Sequence, residues 1–100
     1  MTNYTGKKVI IRSNGAGVFF GTLNDWDAAN SVAELNQCRR LWYWNGACSL
    51  SQLATEGVKY QDDCKFTVAV ENMQITQVLE VIPCTQEAIT NIESVRVWKS

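Results

Sequence analysis

Histidine is missing from all 100 residues. With it go the commonest general base, a common metal ligand and the usual partner of a serine or cysteine nucleophile. The four cysteines, Cys38, Cys48, Cys64 and Cys84, contain no C-x-x-C pair, so the paired-ligand signature of a zinc site is lacking as well. No run approaches the roughly 18 apolar residues that a membrane span requires. Lys7 and Lys8 precede a short apolar stretch, but Val9-Ile10-Ile11 gives way at once to Arg12 and Ser13, which reads as a strand and not as a secretion signal. The expectation is a cytoplasmic chain whose thiols stay reduced. Nine Lys and Arg against ten Asp and Glu leave no net attraction for long nucleic acid or for an anionic membrane. Neither cofactor nor metal is expected, and repeats, linkers and low-complexity stretches are absent.

What remains is one domain over residues 1–100, a size sufficient for a single core. Lys7 to Arg12 and Gly17 to Leu23 are apolar and β-branched around Asn14-Gly15, whose tolerance of positive φ predicts an antiparallel hairpin. Ser31 to Asn36 reads as a third strand and Leu41 to Trp44 as a fourth. Ser49-Leu-Ser-Gln52 fits a capping box opening a short helix, for which Gly57 supplies the stop. Lys65 to Glu71 and Gln74 to Ile82 alternate as a second hairpin about Asn72-Met73, and Pro83 ends it. Thr85 caps a helix from Gln86 to Glu93, and Val95 to Trp98 returns as a last strand. The class expected is α+β: a small twisted, mostly antiparallel sheet or partly open barrel of about seven strands, with two short helices.

Arg39 to Leu53 is the densest chemistry in the chain, joining two cations, three consecutive aromatics and a capped helix start. Alternation places Arg40, Trp42 and Trp44 on one face of the strand and Arg39, Leu41 and Tyr43 on the other. An indole can stack on a base, a guanidinium can pair with a phosphate, and the helix start at Ser49, Ser51 and Gln52 offers N–H donors to an anion. The candidate ligand-binding residues are therefore Arg39, Arg40, Trp42, Trp44, Ser49, Ser51 and Gln52. The bland alternative is a core tryptophan face with arginines snorkelling at its edge. The carboxylate pairs Asp25 and Asp27, and Asp62 and Asp63, sit in turn-rich segments and read first as solvated turn residues. The glycines of Asn14-Gly-Ala-Gly17 precede a strand, so they form a turn and not a dinucleotide fingerprint.

The string Arg39-Arg-Leu-Trp-Tyr-Trp-Asn-Gly-Ala-Cys-Ser-Leu-Ser-Gln-Leu-Ala54 resembles an uncharacterised family of small phage and prophage proteins. Lys8 to Arg12, Ala16 to Leu23, Cys64 to Phe66, Val81 to Cys84 and Val95 to Trp98 extend the resemblance over nearly the whole chain. It carries no assigned active site. It implies a phage origin, with action in the host cytoplasm against host defence. One such role is a homo-oligomeric sponge that sequesters an immune signalling nucleotide, of cyclic oligonucleotide or cyclic ADP-ribose type, without turnover. Another is an inhibitor that covers a host defence protein. A third reading, a metal-dependent nucleotide hydrolase, would use Asp25, Asp27 or Glu34.

Overall fold

The computed structural model describes residues 3–99; Met1, Thr2 and Ser100, the ends of the expected 1–100 domain, lie outside the described residues. Chain order is β1 (Lys8–Ser13), β2 (Gly17–Asp27), β3 (Val32–Tyr43), α1 (Leu50–Glu56), a 3-10 turn over Gln61–Asp63, β4 (Lys65–Phe66), β5 (Val70–Ile75), β6 (Val78–Pro83) and α2 (Gln86–Ser94). The class is α+β with an antiparallel sheet, as expected, but among the described residues the strands number six and not seven.

Three differences explain that count. The runs expected as separate third and fourth strands are one strand, β3, because the chain passes Gln37 as a bulge and not as a turn. Two residues, Gln37 and Cys38, stand opposite Gly21, and Gln37 takes φ 50. Gly21 allows the approach, since a Cβ there would lie 2.9 Å from the Asn36 carbonyl oxygen. The expected last strand, Val95 to Trp98, makes a single parallel bridge from Val97 to Phe66. Lys65 to Glu71 is divided between β4 and β5, and Asn72-Met73 lies inside β5, with the reversal at Thr76-Gln77. The second hairpin is accordingly not a hairpin: β5 pairs with β3, and β6 pairs with β1.

That pairing curls the sheet. In the order β6-β1-β2-β3, β5 and β4 share the outer edge of β3, so the two ends of the order, β5 and β6, are consecutive in the chain. Two residues carry the chain from one edge to the other. The crossing is tied down by the Ser13 hydroxyl, which donates to the Thr76 carbonyl at 2.6 Å, and by the Asn14 N–H, which donates to the Gln77 carbonyl at 2.9 Å.

A curled sheet has two apolar faces, and two cores result. Val9, Ile11, Phe19, Leu23, Leu35 and Cys38 fill the inner side. Ile10, Phe20, Leu41 and Phe66 face outward against Leu53, Ala54, Ala88 and Ile92 of the helices. β1 is buried on both sides, which is why Val9-Ile10-Ile11 does not alternate. Burial of each large side chain here contributes roughly 1.5–3 kcal/mol.

The helices are fastened locally. Ser49 Oγ accepts from the Gln52 N–H and Thr85 Oγ1 from the Ala88 N–H, so both expected N-caps are in place. Gly57 ends α1 at φ 81, with Asn91 Oδ1 only 2.3 Å from where a Cβ would stand. Asn91 uses that space to clamp Val58, accepting its N–H at 2.8 Å and donating to its carbonyl at 2.9 Å. This pins α2 against the end of α1.

Candidate functional site

Strand β3 delivers two adjacent arginines to opposite faces. Past the bulge, Arg39 and Leu41 turn to the helix side and Arg40 and Trp42 away from it. Arg39 is 7% exposed. Its Nε donates to the Thr67 carbonyl at 2.9 Å, Nη1 to the Ile92 carbonyl at 2.9 Å and Nη2 to the Phe66 carbonyl at 3.2 Å. The guanidinium also lies 5.6 Å from the Phe66 ring centroid. It staples β4 and the following loop to the C-terminal turn of α2, and desolvation lowers its pKa from the ordinary arginine value. Arg40 is exposed, with its guanidinium 4.9 Å from the centroid of Phe19, whose ring it caps at the end of the inner core.

The tryptophans divide as well. Trp42 stands out at 59% exposure, whereas Trp44, one residue beyond the end of β3, folds partly against the helix-side core with Ala47 and Leu50. Trp42, Arg40 and Trp44 therefore do not form one face. Instead Trp42 is stacked on Trp98, at 5.4 Å between ring centroids and 16° between planes. Trp98 itself is 46% exposed, and its N–H donates to the Phe66 carbonyl at 2.9 Å. Lys65, paired across β4 with Tyr43, holds its ammonium 5.0 Å from the Trp42 ring and 5.4 Å from the Trp98 ring. Exposed Tyr43 lies next to it, 6.0 Å from the same ammonium. Two indoles, a phenol ring and an ammonium thus make an open aromatic platform.

The charges around the platform are mixed. Arg96 and Lys99 share a shallow recess with Trp98, Asp62 lines both that recess and a second one at Trp98, and Asp63 lines the second. Sequence reading missed Trp98 and Lys65 because they arrive from distant segments of the chain and nothing in their own spacing announces the approach to Trp42. A signal was nonetheless present at Trp98, which lies between Arg96 and Lys99 in the same aromatic and cationic mixture as Arg39 to Trp44.

The α1 start is occupied by its own capping. Ser49 Oγ accepts the Gln52 N–H at 3.1 Å, the Ser49 carbonyl accepts the Leu53 N–H at 3.0 Å, and Gln52 Oε1 accepts the Cys48 N–H at 2.7 Å. Ser51 is exposed, and its carbonyl accepts the Thr55 hydroxyl. None of these groups reaches the platform's lining.

Elsewhere the chemistry is modest. Asp25, Asp27 and Glu34 line one shallow recess, but Asp27 is committed to Asn30, whose side chain and backbone N–H hold its carboxyl below the usual pKa. Among the described residues no three Cys, Asp or Glu side chains gather where they could hold a metal ion. Burial pushes the Cys38 and Cys84 thiols up to about 12, and that of Cys64 upward too, so all three are poor nucleophiles near neutrality. A wider cleft of about 850 Å³, between Tyr4, Trp26, Leu79 and Val81, carries Asp25 and Glu80 and no cation. No described helix is long and apolar enough to cross a membrane.

Neither a curated protein nor a solved structure matches the chain. The match is to a family model instead: residues 6–92, which take in the curled sheet, most of α2 and the whole Arg39 to Leu53 segment, fit the model of a domain of unknown function, DUF6948, and the chain belongs to that family.

Proposed function

We propose that this chain works by binding without turnover, and that the Trp42 and Trp98 platform docks a protein partner. The observation that carries this is the pair of stacked indoles left open at the surface, where a monomer ordinarily covers such rings. Tryptophan and tyrosine are the side chains that most often anchor protein interfaces, and a rim with both signs of charge suits another protein surface. A polyanion approaching the same rings would meet Asp62 and Asp63 beside Lys65. The resemblance to small phage proteins supplies the context: a component of the host's defence machinery, covered in the cytoplasm during infection. The test is affinity capture from host lysate with the wild type and with Trp42→Ala/Trp98→Ala. The expected outcome is a partner held by the first and lost by the second at unchanged Tm. Retention of the same partner by the double variant removes the platform from the account.

A second reading rests on one observation, the Lys65 ammonium set between the two indoles, with Arg96 and Lys99 beside them. A base stacked on the outer indole face, with its phosphate on these cations, makes the chain a nucleotide sponge. A second copy would then enclose what a single copy leaves open. Incubation with cyclic dinucleotides, cyclic trinucleotides and cyclic ADP-ribose isomers, followed by denaturation, separates the cases. Release of intact nucleotide supports the sponge, and cleaved product supports a hydrolase built on Asp25, Asp27 and Glu34. If no nucleotide is retained, the protein-docking reading stands alone.

A further inference from the structure

Apart from the platform, the fold contains a cleft of about 390 Å³ in which Arg39 meets Lys8, Gln37 and Glu93, with Phe20 and Val97 among its apolar walls. A few convergent polar groups set in apolar walls are the usual composition of a small-molecule site. Arg39 is more than nine-tenths buried, yet its three hydrogen-bond partners are all neutral carbonyls. Of the five N–H donors on a guanidinium, two are left uncommitted. The ion pairs among the described residues are Lys8 with Glu93 and Arg12 with Glu80, so no carboxylate neutralises Arg39. The Ile92 carbonyl, in the last turn of α2, brings only the partial negative charge of a helix end. A full positive charge is thus held largely out of water beside an open cleft, where an anion would meet it through charge-assisted hydrogen bonds.

Gln37 is the independent sign. The bulge opposite Gly21 holds this exposed residue at φ 50, a conformation disfavoured for a glutamine, and brings it to the same cleft. Its amide adds two donors to those of Arg39. We propose that this cleft binds a small organic acid. The single carboxylate head would sit on the uncommitted N–H groups of Arg39 and the amide of Gln37, and the apolar body against Phe20 and Val97. A monoanion is favoured over a phosphate because Lys8 and Glu93, the other charged groups lining the cleft, are paired with each other, which leaves Arg39 as its one uncompensated cation.

Titration of the full chain with benzoate, followed by amide NMR shifts, tests this, with benzamide as the neutral isostere. Benzoate is expected to give saturable shifts at Gln37, Ala69 and Val97, with benzamide at least about tenfold weaker, the worth of a charge-assisted hydrogen bond. Arg39 variants can lose the fold, so Gln37→Gly and Glu93→Gln carry the rest of the test. The first, which suits the positive φ, weakens benzoate binding severalfold; the second, which frees the Lys8 ammonium of the cleft from its ion pair, tightens it. Equal response to benzamide, shifts away from the cleft, or no saturation overturns the proposal. The platform plays no part in this binding, so neither result bears on the docking surface.

Discussion

Arg39 and Arg40 are identical side chains on consecutive residues of one strand, and the fold uses them for opposite ends. The first is a buried staple across three carbonyls; the second is an exposed cation over Phe19. Trp42 and Trp44 repeat the contrast two residues on, one left open in a stacked pair and the other turned against the core. Residue type set neither outcome. What decides is the parity fixed by the bulge at Gln37, the register shift against β4 between Leu41 and Tyr43, and the point at which β3 stops, because a side chain's face follows from its phase within a strand, and phase ends with the strand.

The contrast breaks most visibly at the arginines. Arg39→Met removes the donor from two buried carbonyls and one part-buried one and is expected to cost about 3 kcal/mol or more in urea denaturation, whereas Arg40→Ala stays within about 0.5 kcal/mol of wild type. Comparable losses from both would show that Arg39 is not the staple its hydrogen bonds describe. Next comes Gly57→Ala, which meets Asn91 and a positive φ together; a cost of about 1–3 kcal/mol is expected, read from the shift in Tm. The tryptophans follow. Trp44→Ala should lower stability by about 2 kcal/mol while leaving partner binding in place, and Trp42→Ala should do the reverse. If Trp42→Ala proves the more destabilising, the platform is packing and not surface.

The last effect is in pH and is confined to alkaline solution. The thiols of Cys38 and Cys84 are raised from 9.0 to about 12 by burial, so the folded state keeps protons that the unfolded chain releases above pH 9. Stability from this source is fully present below pH 9 and declines as pH rises from 9 toward 12. Cys38→Ser and Cys84→Ser variants should flatten that decline in equilibrium unfolding. At neutral pH a thiol reagent should label exposed Cys48 first, with Cys38 reacting only on unfolding.

Much of the local structure is legible in the chain. Asn14-Gly15 marks the first hairpin, Ser49 and Thr85 cap the two helices, Gly57 stops the first of them, and Val9-Ile10-Ile11 marks a strand. What escapes is register between distant segments. Nothing around Gln37 distinguishes a bulge from a turn, so one long strand reads as two. Asn72-Met73 looks like a reversal, yet Leu35 pairs with Met73 and Asn36 with Asn72 across a continuous ladder. The site shares this fate. Arg40 and Trp42 can be placed on a common face from alternation, though not as exposed, and Trp98 and Lys65 join Trp42 only through pairings made by β4 and the residues after α2. Long-range pairing is decided by the whole sheet, and no short window contains it.

The two-residue crossing from β5 to β6 also sets the order in which the molecule can assemble. The hairpin of β1 and β2 needs only neighbouring residues, but β1 acquires its second partner when Ile10 meets Ile82 and Val9 meets Pro83. Until the ribosome has released that segment, one edge of β1 has no partner strand. Closure of so long a loop places this chain toward the slow end of small-domain folding, at rates set by topology more than by stability. Substitutions at Thr76 or Gln77 should accordingly register in the rate of folding before they register in the depth of the native well.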